Sequence, residues 1–225
     1  METTMYDNLL QLPLFQGLCK DDFTTLIEKV KLHFITCKEG ETIAAQDEIC
    51  NRLLFILDGE ATVKRTDNEH HYSLTEHLDA PHIIEPYSMF GMYPTFKATY
   101  KAKTEVKLLS IDKPYINNEL HKYEIVRINY LNLLSNACQS AHRKLWESHH
   151  GTMEAKIAHF LTNRCLKPQG EKVLHITMED LGSLIDETRM NVSRLLNELQ
   201  QNELLQLRRK EIYIPSLEKL TAHLL

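Results

Sequence analysis

Between Pro114 and Gly151 the chain carries neither glycine nor proline. Both residue types interrupt helices, one through excess backbone freedom and the other through its missing N–H. A run this long predicts one extended helix over residues 114–147, with Pro114 in its first turn. Leu131, Leu134, Cys138, Ala141 and Leu145 recur at alternating steps of three and four, and Tyr130 and Ala137 widen the stripe. That is the spacing of a heptad seam. A stripe on so long a helix exceeds what a small neighbouring domain covers, so these seven residues form a candidate homodimer interface. Packing against the chain's own β domain is the plainer alternative. His149-His150-Gly151 breaks the pattern and is a candidate hinge.

The residues ahead of this helix read differently. Residues 13–30 give a short lead-in and a helix that Asp21 could cap, with Phe23, Leu26, Ile27 and Val30 at helical spacing. Short β segments follow: HFITC, then Arg52–Lys64, then His70–His77 and Ala98–Ile111. In the second, two apolar runs flank Asp58-Gly59, a dipeptide suited to a tight hairpin. Several short strands between turns suggest a barrel or sandwich. Beyond the hinge, Met153–Cys165 is again helical, and Lys167-Pro168-Gln169-Gly170 is a turn.

Charge limits what the C-terminal third can do. Residues 150–225 hold ten Lys or Arg and ten Asp or Glu, while the rest of the chain holds 16 basic and 21 acidic residues, the source of the net −5. Any nucleic-acid affinity must therefore come from locally placed cations and not from a broad positive field. No apolar run approaches the roughly 18 residues that a membrane span needs. METTMYDNLL lacks the basic start and apolar core of a secretion signal, so the expected address is cytoplasmic. Five widely spaced cysteines, with no C-x-x-C pair, read as buried thiols and not as a disulfide framework or a metal site.

The stretch Ile176–Gln200 is the most informative. Thr177 followed by Asp180 resembles a capping box for a helix running to Ile185. Gly182 lies within it, where glycine costs about 1 kcal/mol against alanine, and close approach of a second helix would compensate. Asp186 falls at the sharp turn, a position where aspartate tolerates left-handed geometry. Thr188 can cap the second helix, whose Val192, Leu195, Leu196 and Leu199 mark a buried face. Thr188, Arg189, Met190, Asn191, Ser193 and Arg194 are the candidate DNA-reading residues, with Asn197 on the same outer face. An arginine there can donate a bidentate pair to guanine O6 and N7. Leu205–Leu207 and Glu211–Ile214 flank Arg208, Arg209 and Lys210, the plan of a small β-wing whose tip would touch phosphates. A helical hairpin with solvated arginines is the alternative.

In this order of parts the chain resembles the Crp/Fnr family of transcription regulators. PLFQGL precedes the β segments, ILDGEATV lies within them, the long helix follows, and TRMNVSRLLNELQ is similar to that family's recognition helix. The resemblance implies an α+β fold in three parts: a β-roll sensor over 1–113, a dimerisation helix and hinge over 114–149, and a winged helix-turn-helix over 150–225. It implies a cytoplasmic homodimer on palindromic double-stranded DNA, with RNA polymerase as a further partner. Family members commonly carry glutamate where Met190 stands. Met190 could lie against a thymine methyl, or it could pack between the helices.

The same resemblance makes Ile83–Thr104 the place to look for an effector. Cyclic-nucleotide-binding members hold the phosphate there with a Gly-Glu pair and a later arginine. Here Glu85 lacks the preceding glycine, and the stretch contains no arginine, Lys97 and Lys101 being its nearest cations. Lysine does not reproduce the guanidinium fork. Glu85, Phe90, Gly91, Lys97 and Thr99 are thus a candidate pocket for an unidentified small-molecule or redox effector, not for cAMP. Cys19, Cys37 and Cys50 lack the spacing of an oxygen-sensing cluster. His70, His71, His77 and His82 could ligate haem but read more simply as loop residues. No residue pattern of an enzyme is present. The competing function is a ligand-binding interaction module whose winged helix docks protein.

Overall fold

The computed structural model of the protein describes residues 9–146 and 151–225. The hinge residues His149 and His150 and the side chains of Phe23 and Ile27 lie outside the described part. The chain forms two compact units that do not follow sequence order: residues up to 61 group with 78–143, and residues 62–77 group with 144–225.

The first unit begins with α1 (Lys20–Lys29), whose buried Leu26 and following Val30 bear out the apolar spacing. Its cap is not Asp21, which sits inside the first turn. Cys19 precedes the helix, and its Sγ accepts from the Asp22 N–H at 3.3 Å. Strands β1 (Leu32–Cys37), β3 (Arg52–Asp58), β6 (His82–Ile84) and β8 (Val106–Asp112) make an antiparallel sheet in the order β1-β8-β3-β6. Register pairs Phe55 with Leu109 on one side and with Ile83 on the other. Leu53, Phe55, Leu109 and Ile111 are all fully buried. A second ladder joins β2 (Thr42–Ala44) to β7 (Thr99–Ala102).

Asp58-Gly59 does not close a hairpin. β4 (Glu60–Asp67) leaves the sheet of β3 and pairs instead with β5 (Tyr72–Asp79). Gly59 is required for two reasons: its φ is +91°, and a Cβ would lie 2.2 Å from the Glu105 carbonyl oxygen. The dipeptide marks a corner between sheets, where the backbone approaches another strand.

The expected helix over 114–147 is also divided. Pro114 does lie in the first turn of a helix, but that helix, α2, ends early (Lys113–Asn118). A single 3-10 turn follows at Leu120–Lys122, and the long helix α3 is Glu124–Trp146. No glycine or proline marks the break. It is made by tertiary packing, since Ile116 and Leu120 are drawn into the core from successive turns.

The second unit contains the hairpin residues 62–77, α4 (Met153–Arg164), β9 (Lys172–His175), α5 (Met178–Ile185), α6 (Arg189–Gln201), β10 (Gln206–Arg208), β11 (Glu211–Ile214) and α7 (Leu217–Leu224). Its strands run β10-β11-β9-β5-β4. β9 has no counterpart in the sequence reading. The core brings together Phe160, Leu161, Leu174, Leu181, Val192 and Leu196, and Leu74 of β5 belongs to it.

Within this core Glu76 and Lys172 are each 2% exposed and lie 3.2 Å apart. Glu76 also accepts from the N–H groups of Leu166 and Lys167, and Lys172 Nζ donates to the Gln169 carbonyl. Burying two charges is costly, and this pair is tolerated because its hydrogen-bonding capacity is largely met. Removing one partner of such a pair typically costs about 3–5 kcal/mol.

Candidate nucleic-acid interface

The helix-turn-helix forms as its sequence indicates. Thr177 caps α5 by accepting from the Asp180 N–H at 3.0 Å, and its hydroxyl donates to the Asp180 carboxylate. Asp186 adopts φ 54°, ψ 55°, the left-handed geometry the turn requires. Gly182 is buried where a Cβ would meet the Glu187 carbonyl oxygen at 2.7 Å. The close approach is therefore made by the turn, together with the start of α6. Thr188 caps α6 through the Asn191 N–H at 3.2 Å.

Val192, Leu195, Leu196 and Leu199 are buried, which leaves Thr188, Arg189, Met190 and Arg194 exposed on the other side and Asn191 and Ser193 half-buried. Met190 is 78% exposed, so packing between the helices is not its role within this chain. Arg194 Nη2 donates to Asn191 Oδ1 at 2.8 Å. Asn191 Nδ2 reaches back to Glu187 Oε2 at 3.5 Å, and Lys156 Nζ of α4 donates to Glu187 Oε1 at 2.9 Å. The Lys156 hydrogen bond is the main reason that the Glu187 carboxyl titrates below its usual range, with Asn191 adding to it. Lys156 and Glu187 did not emerge from the sequence: they are 31 positions apart and carry no shared motif. Asn197 is exposed and donates to the Ser193 carbonyl and hydroxyl.

The wing forms as well. β10 and β11 pair with Arg208 opposite Glu211, leaving Arg209 and Lys210 as a two-residue tip. Lys210 has φ 58°. All three cations are exposed, but Arg208 is engaged by Glu211 at 3.1 Å and lies over the Tyr213 ring at 5.7 Å.

The candidate effector residues do not converge on one pocket. Glu85 is 3% exposed, at φ 36°, and its carboxylate accepts from Ser88 Oγ at 2.7 Å, the Lys97 N–H at 2.7 Å and Tyr100 OH at 3.1 Å. The Lys97 amine turns to the Thr95 hydroxyl and the Tyr93 carbonyl in its own loop. Thr99 Oγ1 accepts from the Gln46 N–H. Gly91 is exposed at φ +96°. Phe90 meets the Tyr130 ring edge-on at 6.1 Å and lies under the Lys113 amine at 4.7 Å. It lines a separate apolar cavity of about 140 Å³ with Leu14, Ile116, Leu120, Val126 and Leu131.

On α3, Leu131, Cys138, Ala141 and Leu145 are exposed, and Leu134 and Ala137 are half-buried. Tyr130 faces its own chain, and its hydroxyl donates to the Pro86 carbonyl at 2.7 Å. Cys37, Cys50 and Cys165 are buried as expected, whereas Cys19 and Cys138 are exposed. Among the described residues no group of His, Cys, Asp and Glu is placed to hold a metal ion, and no helix is long and apolar enough to cross a membrane.

Comparison with known proteins agrees with this architecture. Residues 34–123 match the cyclic nucleotide-binding domain, and residues 155–223 match the Crp-like helix-turn-helix domain. The chain is similar in fold to the Catabolite Activator Protein of Thermus thermophilus, with 19% identity, 95% of this chain and 100% of that chain covered, and a TM-score of 0.52. A transcriptional regulator of the crp/fnr family from Eubacterium rectale gives 22% identity, 94% and 97% coverage, and a TM-score of 0.52. The N-terminal domain of a transcriptional regulator from Streptomyces coelicolor is 21% identical over 65% of this chain and 100% of that one, with a TM-score of 0.50. A search of curated proteins finds no match. A β-roll of the cyclic-nucleotide-binding type joined to a Crp-like helix-turn-helix defines a DNA-binding transcription regulator. The chain belongs to the Crp/Fnr family.

Proposed function

We propose that this regulator acts as a homodimer on palindromic DNA, reading bases with α6 and phosphates with the wing, under the control of an effector other than cAMP. Residues 1–113, apart from the 62–77 hairpin that folds with the C-terminal unit, would sense, 114–149 would dimerise and 150–225 would read. The observation that carries the reading is the presentation of Arg189, Met190 and Arg194 on the outer face of a helix whose opposite face is buried. A recognition helix enters the major groove with its N-terminal residues against the base edges.

The exposed part of the α3 stripe supports self-association, since Leu131 and Leu145 need cover. The state of Glu85 argues against cAMP. A carboxylate that would take a ribose hydroxyl already holds three internal donors, and the stretch has no arginine for the phosphate. An effector must bind two states of the protein with different affinity to act as a switch.

Selection of duplexes from a randomised pool, followed by binding across a salt series, tests this. A palindrome with guanines in each half-site and a steep salt slope is expected. Failure to enrich any sequence, together with salt-independent retention, would instead favour a winged helix that docks protein.

A further inference from the structure

The DNA-reading unit contains a piece of chain from far upstream. Strand β5 pairs antiparallel with β9 in a single register: Ser73 with His175, Leu74 with Leu174, Thr75 with Val173 and Glu76 with Lys172. The other edge of β9 pairs with β11, Val173 opposite Tyr213 and His175 opposite Glu211, the residue that follows the Arg209-Lys210 tip. One short strand therefore lies between the hairpin and the wing.

The docking is chemically specified and not merely a backbone ladder. Glu76 presents its carboxylate to Lys172 at the start of β9 and to the N–H groups of Leu166 and Lys167 in the segment linking α4 to β9. Arg65 Nη1 donates to the Arg164 carbonyl at 2.9 Å, at the end of α4. Arg164 in turn donates to Tyr72 OH at 2.8 Å, and its guanidinium lies 4.1 Å over the Phe160 ring. A slip of one residue would turn Leu74 out of the core and Glu76 away from its donors. Without β5, β9 would be an edge strand with an unfilled place in the core beside it.

We propose that the hairpin residues 62–77 set the geometry of the wing, with Glu76 as the positioning residue, so that phosphate contact by Arg209 and Lys210 depends on the hairpin being seated. This rests on the reading that the wing touches DNA. Removing one phosphate contact should reduce the slope of log K against log salt by about 0.9.

The test uses full-length protein on a selected duplex. Glu76→Gln removes the charge with little change in volume, and the Arg209→Ala/Lys210→Ala variant measures the wing directly. We expect both to flatten the salt slope by about two per protomer, while base preference at the α6 positions stays as in the wild type. The amides of Val173 and Leu174 should exchange markedly faster in Glu76→Gln only. A Thr75→Cys/Val173→Cys cross-link in the Glu76→Gln background should restore the slope when oxidised and lose it when reduced.

If Glu76→Gln folds poorly, Arg65→Met loosens the same hairpin from its outer side and should flatten the slope in the same direction. A wild-type slope despite faster exchange would overturn the proposal, because the hairpin would then be seated without governing the wing. Unchanged exchange would overturn the role of Glu76. An unchanged slope in Arg209→Ala/Lys210→Ala would refute the wing reading, and this proposal with it, whatever the exchange data show.

Discussion

Arg194 donates from Nη2 to Asn191 Oδ1, one turn earlier on the same helix face. An arginine reading guanine must hold a planar fork in one orientation, and a neighbour that fixes one edge of the guanidinium leaves the other for the base. Asn191 is itself tied through Glu187 to Lys156. Replacing Arg194 with Ala is expected to cost about 1–3 kcal/mol on a selected site and to relax one guanine position. Asn191→Ala should relax the same position and no other. Quantitative binding to single-base variants of the duplex checks both, and a change at the Arg189 position would refute the assignment.

Met190 presents an apolar, flexible thioether to solvent. The base pair it faces should show a relaxed or T·A-biased preference, since a thioether accepts weakly and suits a thymine methyl. Met190→Glu should shift that position toward C·G and leave the guanines unchanged. Strict C·G selection by the wild-type protein would overturn this.

The α3 stripe predicts the oligomeric state. Leu134→Asp and Leu145→Asp place carboxylates on the proposed seam and should shift sedimentation from dimer toward monomer. Leu145 is 81% exposed in the single chain, so its substitution cannot act by disturbing the protomer core. Dimers of wild-type stability in both variants would show that the contact lies elsewhere.

The five thiols should separate by reactivity. Burial pushes Cys165 up to about 12, with the Glu76 charge adding to it, and pushes Cys50 up to about 11. The thiolate is the nucleophile, and a raised pKa keeps the neutral thiol dominant in mildly alkaline buffer. Cys19, exposed and away from the α3 seam, should alkylate first, Cys138 should be shielded as long as the dimer holds, and Cys50 and Cys165 should react only on unfolding. Mass spectrometry of a time course reads this directly, and early labelling of Cys165 would contradict its burial.

Local chemistry made much of the reading half legible. Thr177, Asp186, Thr188 and the four buried residues of α6 act through neighbours within a few positions, so spacing alone reveals them. The end of the expected helix at Asn118 was hidden because Ile116 and Leu120 turn inward toward partners distant in sequence. Asp58-Gly59 was legible as a turn but not as a corner, because the constraint comes from Glu105. Glu85 and Lys97 do lie near each other, yet the three donors on the carboxylate come from Ser88, Lys97 and Tyr100, a set that no spacing rule singles out. The ties of Lys156 to Glu187 and of Glu76 to Lys172 depend wholly on the fold.

The grouping of residues 62–77 with 144–225 means that the backbone passes from one unit to the other three times. A single cut in the sequence therefore cannot yield two whole parts. A chimera joined near Gly151 would pair an imported winged helix with a resident hairpin whose Glu76 and Leu74 are matched to another segment. Exchange of sensors between regulators of this build thus requires two inheritances at once, the C-terminal segment and the short hairpin from the middle of the roll. Recombination that transfers only one of them should yield proteins that are made but do not hold together.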